Sequence, residues 1–114
     1  MINNYVKLGI MPAPEKKKYS REHLAYLIVI CVLKQVYSIS DIGKLISLTI
    51  QYFELSKAYN RFCANLEVSV KNVFSRKEFP NTDKMTEEQY LLKNVVQCVA
   101  DKIYVEFTFL NKDK

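Results

Sequence analysis

Two groups of side chains near the start of the chain carry chemistry suited to a polyanion. Asn3, Asn4 and Lys7 share the polar side of a short amphipathic helix expected over residues 1–8, whose other stripe holds Ile2, Tyr5 and Leu8. A carboxamide can pair with adenine in the major groove, and a lysine with guanine or phosphate. Lys16, Lys17 and Lys18 then form a basic tip, closed by Tyr19 and followed by Arg21. Cations in such a tip would hold a phosphate backbone, which positions a protein without reading sequence. The plainer alternatives are a helix start with no part in recognition and a solvated lysine run at a loop tip.

Catalytic chemistry is not expected. The carboxylates Asp41, Glu54, Glu67, Glu87, Glu88 and Asp101 fall on polar faces, and the single His23 lies in a helix first turn, where it suits solvation or capping. Two glycines could hardly build a phosphate-cradling loop. Ser and Cys nucleophiles lack a candidate base. The three cysteines, Cys31, Cys63 and Cys98, are odd in number, widely spaced and set in apolar helical surroundings, so they read as reduced packing residues. None has metal-ligand spacing, and neither a metal nor a cofactor is expected.

The elements that position these residues read as helices. Gly9 suits the left-handed position after the first helix, and Pro12 and Pro14 keep it from resuming. Ser20 is an N-cap candidate for a helix over residues 21–37, with Glu22 near its positive end. Its run LAYLIVICVL, Leu24 to Leu33, is too short for the roughly 20 residues that span a bilayer and reads as a helix buried on nearly all sides. Ser38 with Asp41 resembles a capping box opening a helix over residues 39–50 that buries Ile42, Leu45, Ile46 and Thr49. A break is expected near residues 51–53.

From residue 54 to about 76, Leu55, Tyr59, Phe62, Leu66, Val70 and Val73 recur at steps of three and four, widened by Ala58, Cys63 and Phe74. Residues 77–85 read as a loop around Pro80-Asn81. Thr86 with Gln89 makes a second capping-box pattern before a helix carrying Leu91, Leu92, Val95, Val96, Val99 and Ile103. Residues 103–110, IYVEFTFL, are rich in β-formers, yet Phe107 and Leu110 continue the helical stripe, so helix is favoured over strand.

A chain of 114 residues is most simply one domain, and 49% hydrophobic with 25% charged residues is ordinary globular composition. Of the net charge of +5, residues 1–21 supply +4, from five basic residues against Glu15. A localised excess of this kind favours an anionic partner. The start lacks the apolar core of a signal peptide, and a cytoplasmic protein is expected.

The order Tyr5, Lys7, Leu8, Gly9, Ile10, Met11, Pro12, then the lysine tip, then Tyr19 and Ser20, resembles the MerR-type winged helix-turn-helix of bacterial regulators. The likeness continues through Ser38 to Ile46, Ser-Ile-Ser-Asp-Ile-Gly-Lys-Leu-Ile, where that family steps into a further helix. More narrowly, the chain looks like a member of the bacterial family called domain of unknown function 1836, thought to carry a MerR-like start.

The resemblance implies an all-α fold: a partial MerR-like winged helix-turn-helix (short helix, basic wing, two helices) over residues 1–50. The apolar periodicity after residue 54 adds an antiparallel helical hairpin over residues 51–114, the whole packed as one compact unit. The resemblance implies a DNA-binding transcriptional regulator with the short helix in the groove and the wing on phosphates. The family's first helix, which fixes the angle of the second, would precede Met1. Residues 1–114 alone are therefore expected to bind DNA weakly and without sequence preference. A homodimer through Leu55, Tyr59, Phe62, Leu66 and Val73 is the further expectation, with Phe62 worth about 3 kcal/mol if fully enclosed. The alternatives are a helical protein–protein interaction module and a small-ligand sensor with an unidentified effector.

Overall fold

The computed structural model describes residues 2–16, 18–77 and 83–110. Helix accounts for 75% of the chain, far above the third usual in soluble proteins, which makes the fold all-α. The helices are α1 (Ile2–Lys7), α2 (Arg21–Leu33), α3 (Ile39–Tyr52), α4 (Leu55–Ser75) and α5 (Glu87–Val105), followed by a π-helical turn, Glu106–Leu110. Among the described residues there is no strand, only an isolated antiparallel bridge between Glu15 and Lys18. None of these helices is long and apolar enough to cross a membrane. The chain divides into two compact units, Met1–Tyr59 and Asn60–Lys114.

Local chemistry explains the helix ends of the first unit. The Gly9 N–H donates to the Val6 carbonyl and the Ile10 N–H to the Tyr5 carbonyl, each at 3.0 Å, with Gly9 at φ +74°. This is a Schellman motif, and the apolar pair that accompanies it, Tyr5 and Ile10, is buried. Leu8, expected on the covered stripe, is instead 57% exposed because the helix has already ended and the turn carries it outward. Burial of Tyr5 also shows that α1 has a covered face within this chain. The Ser38 hydroxyl accepts from the Asp41 N–H at 3.1 Å, so α3 starts where its cap places it.

Tyr5, Ile10, Met11, Ile30, Leu33, Ile42 and Ile46 are the buried apolar residues of this unit. Leu45 and Thr49 are half-buried, and Thr49 turns its hydroxyl back to the Leu45 carbonyl at 2.8 Å. Gly43 lies where α3 meets the chain after α1: a Cβ there would sit 3.3 Å from Ile10 Cγ1. Gly43→Ala gains helix propensity against that close contact, whereas Gly43→Val adds branched methyls beside Ile10 and gains less helix propensity. We expect Gly43→Val to destabilise by about 2 kcal/mol in urea unfolding, the usual scale of overpacking.

Helix α2 departs from expectation twice. It ends at Leu33, with residues 34–36 in a turn, rather than reaching Tyr37. It is also not buried on nearly all sides: Leu24 is 57% exposed and Ile28 and Cys31 are exposed with it. A helix apolar all round has no periodic signal, so nothing in its pattern chooses the buried face. Cys31, Cys63 and Cys98 are all free thiols on exposed faces, not the packing residues expected.

In the second unit, α5 begins as its sequence prescribes. The Gln89 N–H donates to Thr86 Oγ1 and the Thr86 N–H to Gln89 Oε1, both at 3.1 Å, a complete capping box. Its buried face is Val95, Val96, Val99 and Ala100, while Leu91 is exposed and Leu92 and Ile103 half-buried. The segment 103–110 is helical, in a wider π form after Val105, and leaves Phe107 73% and Leu110 60% exposed rather than continuing the buried stripe. A π turn shifts side chains around the axis relative to an α-helix, which takes these residues off that face.

Helix α4 ends in a second left-handed cap, with Arg76 at φ +59° and the Lys77 N–H donating to the Asn72 carbonyl. The Phe74 ring, in its last turn, makes edge contacts at 5.3 Å with Tyr104 and 5.6 Å with Phe107. An antiparallel hairpin would set Phe74 against the first turns of α5, so these contacts do not follow the hairpin expected. The expected turn at Pro80-Asn81 lies outside the described residues.

Candidate nucleic-acid interface

The basic tip is a tight turn closed by its own backbone. The Lys18 N–H donates to the Glu15 carbonyl at 2.8 Å, and Lys16 takes a left-handed φ of +49° to make the reversal. That conformation is uncommon outside glycine. Lys16 and Lys18 are exposed on either side of the turn, Tyr19 is 50% exposed, and Arg21 opens α2 with its side chain exposed. Lys17 lies outside the described residues.

On α1, Asn4 and Lys7 are exposed, and Lys7 sits in the last turn. The side chain of Asn3 lies outside the described residues. Lys7, Lys16, Lys18 and Arg21 make no ion pair with a described residue. Ion pairs among the described residues are found instead at Lys71–Glu67 and Lys102–Glu106. In the first of these, the hydrogen bond from Lys71 and then its charge hold the exposed Glu67 carboxyl below its ordinary range.

Beside this surface lies His23, expected from its position only as a cap or a solvated side chain. His23 is 6% exposed. The Ser20 N–H donates to its Nδ1 at 3.0 Å, and the Ser20 hydroxyl lies 2.9 Å from the same nitrogen. On the other side of the ring, Nε2 lies 3.3 Å from the Ala13 carbonyl. A backbone N–H can only donate and a carbonyl only accept, so Nδ1 accepts and Nε2 carries the proton. The Tyr19 ring stands edge-on to the imidazole at 5.3 Å. Capping was legible from the Ser20–His23 spacing; the bond to Ala13, ten residues upstream, was not.

Other links tie α1 and its following turn to the same unit. Lys34 Nζ makes a long hydrogen bond, 3.4 Å, to the Tyr5 hydroxyl, and Ile10 lies against Gly43. On α2, burial and then the Glu22 carboxylate push the Tyr26 hydroxyl up from its ordinary value.

The residues expected at a dimer contact, Leu55, Tyr59, Phe62, Leu66 and Val73, are each half-buried along α4. Phe62 is therefore not fully enclosed within the chain, and its truncation should cost less than full burial would imply. No group of three or more His, Cys, Asp or Glu among the described residues could hold a metal ion.

Fold and surface together define a small all-helical protein whose first unit presents exposed cations without ion-pair partners among the described residues. The chain belongs to the family described as domain of unknown function (DUF1836), whose sequence profile matches residues 1–62. That match covers every residue of the basic surface. No curated protein and no solved structure matches the chain.

Proposed function

We propose that this chain is a DNA-binding transcriptional regulator of MerR-like type. In this reading Lys16, Lys17, Lys18, Tyr19 and Arg21 rest on the phosphate backbone, while α1 turns Asn3, Asn4 and Lys7 toward the groove. The observation that carries it is the set of exposed cations, Lys7, Lys16, Lys18 and Arg21, without ion-pair partners among the described residues and gathered in one unit. A solvated face would serve equally well with scattered or neutralised charge. Electrophoretic mobility with a random-sequence duplex at low and high salt tests the proposal. A complex at low salt that dissolves at high salt supports it, and no complex at either overturns it.

Homodimerisation is the second reading, favoured by the apolar surface left open in the second unit. Phe107 and Phe109 are 73% and 74% exposed beside Leu110, and α4 adds the half-buried seam of Phe62, Leu66 and Val73. Exposed apolar surface, where it is contiguous, marks association sites. Sedimentation at micromolar concentration should show a dimer that the double substitution Phe107→Ser, Phe109→Ser returns to monomer. A folded wild-type monomer under those conditions would rule the dimer out.

A further inference from the structure

We propose that His23 is the positioning residue of the basic turn, holding Lys16 and Lys18 in one orientation by bonding both ends of their loop. This deepens the nucleic-acid reading and rests on it for its functional half. The loop leaves Ala13 and returns to Ser20, and the same imidazole bonds the carbonyl of the first and the N–H of the second. The His23 ring is buried, while its partners Ser20 and Ala13 lie at the surface, so the bonds are partly shielded from water. The Tyr19 ring packs perpendicular to the imidazole. Within the clasp, the Lys18–Glu15 hydrogen bond closes the turn itself.

An N-terminal cap alone would not need histidine. At the equivalent position of α5, Gln89 receives the Thr86 N–H through Oε1 and completes the cap. Glutamine and glutamate are the usual residues for that task. Histidine differs in placing a second nitrogen across a rigid ring, pointed away from the helix it caps. That second nitrogen reaches Ala13. A loop preorganised in this way loses less conformational freedom when its lysines meet a ligand.

The distinction supplies the test. His23→Gln keeps the cap on α2 but replaces the rigid ring with a flexible amide, so that the bond to Ala13 is no longer fixed by the cap. Amide exchange of the chain should then leave Leu24, whose N–H bonds the Ser20 carbonyl, as protected as before. The Lys18 N–H, bonded to Glu15, should exchange about tenfold faster, and duplex affinity at low salt should fall about threefold to tenfold, the worth of one hydrogen bond. His23→Glu, which keeps the cap and brings a carboxylate toward the Ala13 carbonyl, should loosen Lys18 at least as much. Unchanged Lys18 exchange in both variants overturns the tether. Faster exchange with unchanged affinity overturns the positioning role. Faster exchange in a chain whose wild type binds no duplex supports the tether and overturns the nucleic-acid reading instead.

Discussion

Replacing Ile42 by alanine should remove about 4 kcal/mol from the stability of the chain, the upper part of the range for a buried isoleucine. Ile42 is 0% exposed on α3, the helix whose neighbouring Gly43 already approaches Ile10 closely. Deleting three carbons there forfeits their transfer from water and leaves a void. Ile10 lies close enough to Gly43 that an added Cβ would stand 3.3 Å from it, which limits how far α3 can move inward to close the void. Against the roughly 5–15 kcal/mol that holds a typical domain, this is a large fraction. Urea unfolding followed by circular dichroism should show the midpoint lowered with little change in slope. Ile42→Val, losing one methyl, should cost about 1 kcal/mol. Equal, small effects from both would show that the site relaxes around the change.

The second large effect is electrostatic. Contacts between about four cations and phosphates should make duplex affinity fall on the order of 100-fold between about 50 and 200 mM salt, through counterion release. Neutralising Lys16, Lys18 and Arg21 together to alanine should leave binding barely measurable. It should also reduce the slope of log affinity against log salt by about three, close to one per cation removed. All three are exposed, so the variant should unfold with wild-type stability. Binding that ignores salt, or a triple variant that binds as well as the wild type, would move recognition away from this turn.

Much of the helical framework was legible because short-range chemistry determines it. Ser38, Thr86 and Gly9 mark helix ends through bonds to residues three to five positions away, and each stands where its type and spacing imply. The choice of buried face was legible on α3, whose apolar residues are periodic, and illegible on α2, where Leu24, Ile28 and Cys31 look as apolar as Ile30 and Leu33. Tertiary packing alone separates those two sets. The pairing of Phe74 with Tyr104 was hidden for a similar reason, since it depends on the course of an eleven-residue connection and not on either helix. At the candidate interface, the cations were evident from composition. The residue that holds their loop was not, because His23 draws its meaning from Ala13, a backbone carbonyl that any residue would supply.

The exposed thiols bear on how any assembly of this chain is to be read. Cys31, Cys63 and Cys98 sit one each on α2, α4 and α5, and all are free. In air, two copies that meet by any of these faces can be joined covalently, and such a product would sediment as a dimer whatever Phe107 and Phe109 contribute. A reductant separates the cases: association by side-chain packing survives it and dilutes reversibly, whereas cross-linked pairs revert to single chains and reappear on reoxidation. The same three positions are ready attachment points for spectroscopic labels, two of them in the unit that carries the open aromatic surface.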